Sequence, residues 1–357
     1  MNISLEVQNK DTGAVIDLSK ATDDITVVWE RIGQAGRLEA NLHNIQRVYI
    51  PKGSPVFLKV NGTLFFKGYF FTNTFDRWGN TKIVVYDALR YLKAKSSIMI
   101  QNNTASQLLV ELIAKDFVDT GTFPLGAVED TQYQIPWIMY EDKSYLDMLS
   151  DALKRTLLAT GIVYNLYDDC GKLRITKAGN MIVPGTLTYG KEILDYKYTG
   201  TIDEDTYNSY RYVFSAVATG KNEFPFDDAN NIRKWGLLQR YEVLSDNLNI
   251  AQLQAMAQAT QLFYNRELKK VEIESLGRTN IRAGSMIDVN LGTIDNTEIR
   301  GLQLVNYVKH TFTNQLHKMH IRTQEIRNIS AADWAKINVW AKSNEELYQQ
   351  QKQQKNS

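Results

Sequence analysis

The chain has 357 residues, 43% of them hydrophobic and 23% charged, more than one core usually holds, which predicts about two to four domains. Its 41 basic and 40 acidic residues leave a formal charge of +1, so no long-range field draws it to nucleic acid or to an anionic membrane. Cys170 is the only cysteine, which excludes an intramolecular disulfide and a disulfide-stapled secreted fold.

Nineteen Tyr, 13 Phe and 6 Trp favour β-structure and subunit contacts. The opening Met1-Asn2-Ile3-Ser4-Leu5-Glu6 lacks a basic stretch ahead of an apolar one. No run approaches ~20 apolar residues, so neither a signal peptide nor a membrane span is predicted.

Residues 1–95 read as all-β. Strands are predicted near Ile25–Trp29, Arg37–Leu42, Pro55–Val60, Thr63–Phe71 and Lys82–Tyr86. Asn61-Gly62 between two apolar runs signals a two-residue type I′ hairpin turn, and Trp78-Gly79-Asn80 marks the next turn. Asp87–Leu92 changes period toward a short helix.

Residues 96–190 read as a small α/β domain. Thr104 with Gln107 and Ser144 with Asp147 have capping-box spacing. The first helix then carries Leu108, Leu109, Leu112, Ile113 and Phe117; the second carries Leu146, Leu149, Leu153 and Leu157. A hairpin, Ile162–Tyr167 with Lys172–Thr176, turns at Asp168–Gly171, and the stretch from Pro184-Gly185 to Gly190 reads as the exit.

Residues 191–328 return to β, with strands at Ile193–Tyr198 and Tyr210–Ala218. Ser245, Asp246 or Asn247 would cap a helix reaching about Leu268, with Leu248, Ala251, Ala255, Ala259 and Leu262 along one side. Residues 329–357 are polar; Trp334, Val339 and Trp340 are the last anchors. That tail reads as frayed or disordered, or as a segment ordered against a neighbouring subunit.

One strand pattern occurs twice. Gly53-Ser54-Pro55-Val56 opens a run to Val60, Gly68 opens Tyr69-Phe70-Phe71, and Ile83–Tyr86 follows. Gly284-Ser285-Met286-Ile287 opens a run to Val289, Gly301 opens Leu302–Val305, and Met319 with Ile321 closes the series. In each copy a Thr-Phe pair comes late after the second glycine, Thr74-Phe75 and Thr311-Phe312. Two copies of a β module in a chain lacking an evident active site read as architecture.

The chemistry-bearing residues support that reading. His317 and His320, three apart on a strand, point to opposite faces and cannot easily share a metal. There is no Gly-rich dinucleotide or phosphate motif and no nucleophile elbow; Gly33 and Gly36 fit turns. The acidic pairs Asp23-Asp24, Glu141-Asp142, Asp168-Asp169, Asp203-Glu204-Asp205 and Asp227-Asp228 read as solvated turn charges. Glu141 and Asp142 favour the dipole of the helix that follows. Cys170, flanked by carboxylates, reads as a turn residue. No catalytic, cofactor-binding or metal residue is nominated, and no enzyme activity is expected.

The run Gly68-Tyr69-Phe70-Phe71, then Lys82 through Lys93 (KIVVYDALRYLK), resembles the baseplate hub proteins of contractile phage tails and phage-like bacteriocins of Gram-positive bacteria. That family includes the hub of the Bacillus defective prophage. The resemblance extends to Trp29, Arg31, Gly33, Gly36 and Asn61-Gly62. It continues through Thr104–Leu109, Ile113–Phe117, and Thr311-Phe312 with His317–Met319. Such hubs are similar to the T-even baseplate hub and to the N-terminal half of type VI spike proteins.

The resemblance implies a mainly β fold with an α/β insertion. Two tail-tube-like β-barrel modules would be joined by a small α/β domain, LysM-like in some relatives, with an extra helix in the second module. It implies a non-enzymatic homotrimer whose six modules adapt a six-fold tail tube to a three-fold central spike. Tyr69, Phe71 and the Ala-rich helix would be contact elements. Implied partners are the spike, the tail tube or tube-initiator protein, the tape-measure protein and other baseplate proteins. Synthesis would be cytoplasmic, with release by lysis in the particle. The alternative is a cell-wall (peptidoglycan) binding module or hydrolase component of the tail tip, with Tyr133, Trp137 and Tyr140 beside Glu141 and Asp142. A tube initiator or distal-tail protein would need only one module per chain.

Overall fold

The computed structural model describes residues 1–43, 49–117, 125–214, 222–244, 250–294, 297–313 and 316–325. The predicted polar tail, the helix-capping candidates Ser245, Asp246 and Asn247, and the end of the Tyr210–Ala218 strand lie outside the described residues.

The N-terminal strands are β1 (Ile3–Gln8), β2 (Val15–Asp17), β3 (Thr22–Glu30), β4 (Arg37–Leu42), β5 (Pro55–Val60), β6 (Thr63–Phe75) and β7 (Thr81–Tyr86). Alternation of apolar and polar residues sends Val56, Leu58 and Val60 inward from β5 and Ile83 and Val85 from β7. Asn61 and Gly62 adopt φ of 50° and 79°, as a type I′ turn requires, and Val60 pairs with Thr63 across it. Asp87 ends β7 and caps the 3-10 turn Ala88–Lys93 by accepting from Leu89 N–H.

The insertion carries β8 (Lys95–Asn103), α1 (Ala105–Asp116), β9 (Leu125–Val128), β10 (Ile135–Ser144), α2 (Tyr145–Thr160), β11 (Tyr164–Asp168) and β12 (Leu173–Lys177). Thr104 and Gln107 form the predicted reciprocal capping box of α1. At α2, Ser144 Oγ accepts from Asp147 N–H at 3.1 Å and donates to the Asp147 carboxylate at 2.6 Å. Leu108, Leu109, Leu112, Ile113, Leu146 and Leu149 are buried, as their helical spacing predicts. The predicted hairpin is β11–β12; the β8–β10 ladder was not anticipated.

The remaining elements are β13 (Ile182–Thr188), β14 (Ile193–Thr201), β15 (Ser209–Phe214), β16 (Asn222–Asp227), α3 (Ala229–Trp235), β17 (Gln239–Leu244), α4 (Ile250–Tyr264), β18 (Leu268–Leu276), β19 (Met286–Ile294), β20 (Thr297–Thr313) and β21 (Leu316–Glu325).

The chain divides into two compact units. The first comprises Met1–Leu153, Val163–Tyr198 and Val271–Ile326; the second comprises, among the described residues, Lys154–Ile162 and Thr199–Lys270. In the second unit a three-stranded sheet, ordered β16-β15-β17, packs Tyr210 and Tyr212 against Leu253 and Ala257 of α4. Asp228 caps α3 by accepting from Asn230 and Asn231 N–H. The described buried residues of α4 are Leu253, Ala257 and Thr260. The side chains of the proposed stripe Ala251, Ala255, Ala259 and Leu262, and all of Leu248, lie outside the described residues.

Among the described residues the two expected β-barrels are not formed. One open 13-stranded sheet instead runs β14-β18-β21-β20-β3-β4-β7-β6-β5-β1-β2, with β13-β19 branching from β20. Closing a module would require its first and last strands to pair at a defined stagger. Here the 17-residue β20 pairs β19 with its first half and β3, from the N-terminal copy, with its second half. Strand length therefore splices the copies edge to edge. One cluster of buried side chains serves both, joining Leu58, Phe66 and Val85 to Val289, Val305 and Ile321.

Candidate functional site

The repeat legible in the sequence is a repeated piece of backbone geometry. Ser54 N–H donates to Pro51 O at 3.2 Å and Ser285 N–H to Arg282 O at 3.1 Å. Gly53 N–H donates to Phe70 O and Gly284 N–H to Val305 O, both at 2.8 Å. Phe70 N–H returns to Ser54 O and Val305 N–H to Ser285 O, both at 2.9 Å. Both glycines are left-handed, at φ +83° and +91°, where a Cβ is strained. Just beyond each anchor the long strand bulges, between Phe70 and Thr72 against β7 and between Val305 and Tyr307 against β21.

These bonds make Phe70 the counterpart of Val305, and so correct part of the sequence alignment. The partner of Gly68 is Gln303 rather than Gly301, which lies inside β20. The two Thr-Phe pairs likewise fall at different distances from their anchors. The strand order nevertheless repeats: β3-β4-β7-β6-β5 in one copy and β14-β18-β21-β20-β19 in the other. The second unit's β15–β17, α3 and α4 lie in chain order between β14 and β18, where the first copy has only the short β3–β4 connection. This is the expected helix that the first module lacks.

The seam between copies is the β20–β3 ladder, from Tyr307↔Glu30 to Thr313↔Asp24. Arg31 extends it, its backbone N–H donating to Asn306 O and its Nε to Asn306 Oδ1, each at 2.9 Å. Beneath it pack Trp29, Phe65, Phe312, His310 and His317. His310 Nε2 lies 2.9 Å from Ile281 O, which only accepts, so the proton sits on Nε2. His310 Nδ1 then accepts from His317 Nε2, also at 2.9 Å. Burial, then the neighbouring His317, lowers His310 to about 3, and burial lowers His317 to about 4. His320 is elsewhere, 2.6 Å from Glu274, so the expected separation of His317 and His320 is observed. The His310–His317 pair was missed because it depends on the β20–β21 register.

A second buried polar group joins the first copy, the β11–β12 turn and the Gly284 turn. Asp87 accepts from Gly36 N–H at 2.8 Å. Asp168 accepts from Ala88 N–H at 2.7 Å and from Gly171 N–H. Arg282 donates to Asp168 O at 2.8 Å and lies over the rings of Tyr167 and Trp29. Burial, then the Asp168 charge, raises Asp87 well above the usual carboxylate range; burial also raises Asp168 and lowers Arg282. Asp168 is therefore not the solvated turn charge its sequence suggested. Its two N–H partners explain the burial.

The other candidates keep structural roles. Asp23 meets His43 at 2.9 Å, Asp142 meets Lys95 at 3.0 Å and Asp227 meets Arg211 at 2.7 Å; Glu204 pairs with Lys270. Burial and then Asp169 push the Cys170 thiol up to about 11, which opposes nucleophile chemistry. Of the aromatic candidates for a sugar-binding groove, two differ in exposure. Trp137 is exposed on β10, whereas Tyr140 is buried and donates to Asp151 at 2.9 Å. Among the described residues no group of three or more His, Cys, Asp or Glu could hold a metal, and no helix is long and apolar enough to cross a membrane.

Comparison with known proteins matches residues 25–324 to the YqbQ-like family model. Over 328 residues the chain is 28% identical to the uncharacterized protein YqbQ of Bacillus subtilis (strain 168), covering 87% of this chain and 94% of that one. It is 26% identical over 281 residues to the phage-like element PBSX protein XkdQ of the same organism, covering 77% and 82%. Among solved structures, the tail protein of Neisseria meningitidis MC58 shares the fold at TM-score 0.68 and 12% identity, covering 91% and 97%. A family match spanning most of the chain settles its membership: the protein belongs to the YqbQ-like family.

Proposed function

We propose that this chain is the structural baseplate hub of a contractile tail or phage-tail-like particle. Three copies form a ring of six related sheet modules, adapting the six-fold tail tube on one side to the three-fold central spike on the other. The observation that carries the reading is the duplicated Gly-Ser turn with its following bulge. Two near-equivalent modules per chain are what a trimer needs to imitate a hexamer. The dissimilar insertions, α/β between the copies and β15–β17 with α3 and α4 within the second, keep only the three-fold exact.

The partners of this reading are the spike, the tail tube or its initiator, the tape-measure protein and other baseplate proteins. The chain is made in the cytoplasm and leaves in the particle on lysis. Its work is matching symmetry and carrying load. The family relation to a phage-like element protein supports this over peptidoglycan binding, for which Tyr140, one of the three expected aromatics, is buried rather than exposed beside Trp137.

Native mass spectrometry of the chain co-expressed with the tube protein of its own particle tests the stoichiometry. Three hub chains per ring of six tube subunits is expected; six hub chains per ring would overturn the reading.

A further inference from the structure

The 3-10 turn Ala88–Lys93 holds a cation over an aromatic platform and gives it nothing to bind. Asp87 caps the turn, and Ala88, Leu89 and Leu92 are buried beneath it. Arg90 and Tyr91 lie instead against the outer face of β6 and β7, opposite the buried Phe70 and Val85. Tyr91 meets Tyr69 at 5.4 Å and Phe71 at 5.5 Å between ring centroids, and Phe71 meets Tyr86 edge-on at 5.4 Å. The Arg90 guanidinium lies over the last two rings, 5.6 Å from Phe71 and 5.7 Å from Tyr86.

Arg90 lacks an acceptor. Among the described residues no carboxylate and no carbonyl receives its N–H groups. Glu39 on the neighbouring β4 is taken by Arg37 at 3.3 Å and Lys82 at 2.9 Å. Asp87 is engaged inward, by Gly36 N–H and Leu89 N–H. Arg77, Arg300 and Arg322 are exposed, where water can serve their donors, but Arg90 is half-buried. Donors drawn out of water without an acceptor cost free energy.

The internal repeat sharpens the contrast. Phe71 is the extra residue of one bulge and Asn306 of the other. Asn306 accepts from Arg31 at 2.9 Å and donates to Gln324 at 3.0 Å, so the second copy satisfies its bulge within the chain. The first copy's bulge instead supports an arginine whose donors stay open.

We propose that Arg90, on its platform of Phe71 and Tyr86, binds a carboxylate carried by another protein, an acidic side chain next to an apolar one. A guanidinium lying on aromatic rings keeps its planar fork of donors free, and that fork matches a carboxylate with two parallel bonds. Tyr69 and Tyr91 supply apolar area for the neighbouring side chain. Lys93, exposed at the end of the same turn, adds positive charge at the rim. This holds however many copies share a ring.

The test uses the full chain with isotope-labelled arginine and three probes: the blocked dipeptide acetyl-Phe-Glu-amide, its neutral twin acetyl-Phe-Gln-amide, and inorganic phosphate. The Arg90 Nε–H NMR signal is identified by its loss in Arg90→Leu, which keeps an aliphatic cover on the rings and removes the open donors. The expected result is a saturable shift of that signal with the Glu dipeptide, with binding roughly tenfold weaker for the Gln dipeptide. The urea midpoint of Arg90→Leu should be no lower than that of the parent chain. Equal binding of the two dipeptides, or a signal that neither one moves, overturns the carboxylate site. Phosphate binding as tight as the Glu dipeptide overturns the protein partner in favour of a phosphate ligand. A lowered midpoint in Arg90→Leu makes Arg90 a brace of the fold and overturns the open site.

Discussion

Gly284 stands to Val305 as Gly53 stands to Phe70: each glycine N–H donates to the strand carbonyl at 2.8 Å. The environments differ. A Cβ on Gly284 would lie 2.7 Å from Asn165 Cγ, whereas one on Gly53 would meet nothing closer than Lys10 Nζ at 3.8 Å. Gly53→Ala is expected to cost about 1–2 kcal/mol through its left-handed backbone alone. Gly284→Ala should cost about 2–4 kcal/mol because Asn165 must also move. Urea unfolding of the two variants checks the order; equal losses would contradict it.

Arg282 carries a second prediction. Removing it leaves the buried Asp168 carbonyl without its donor and takes away the charge that partly offsets the burial of Asp87 and Asp168, so Arg282→Ala should cost about 1–3 kcal/mol. Arg282→Lys should recover little, since an ammonium cannot reproduce the planar guanidinium lying 4.1 Å from the Tyr167 ring centroid. Urea midpoints again read the outcome.

The histidines should divide by environment. The side-chain NMR signals of His310 and His317 are expected to remain neutral down to pH 5, while His43, raised first by Asn80 and then by Asp23, titrates above its ordinary value. The stability consequence follows in sign. The buried pair is depressed to about 3 and about 4, so its contribution is complete above the unfolded value of about 6.5. It falls as pH drops toward the folded values, with a slope of up to about 1.4 kcal/mol per pH unit for each histidine. Titration of His310 near its ordinary value would contradict the buried pair.

The cap of α1 offers a local check. Thr104 Oγ1 accepts from Gln107 N–H at 3.2 Å. Thr104→Ala should lower stability by about 1 kcal/mol, read as a shift in thermal midpoint; no shift would contradict the cap.

Legibility followed the range of the interactions. Asn61-Gly62, Thr104 with Gln107, and the alternation in β4, β5 and β7 act within a few residues, and the structure has them where the pattern puts them. The Gly-Ser turn is readable too, but its partner carbonyls, Phe70 and Val305, are not, so the sequence pairs Gly301 with Gly68 where the hydrogen bonds pair Gln303 with it. The barrels failed for the same reason. Whether β20 returns to its own module or continues onto β3 depends on long-range strand register, which a repeat in the sequence does not encode. Asp168 looked like surface charge because the N–H groups that bury it belong partly to Ala88, distant in the chain.

A cryo-EM reconstruction of contractile particles carrying this chain would weigh the hub reading most directly. The account predicts three copies around the axis between tube and spike, their six modules facing the tube in near-six-fold order. Six copies each giving one module, or a ring from which the chain is absent, would contradict it.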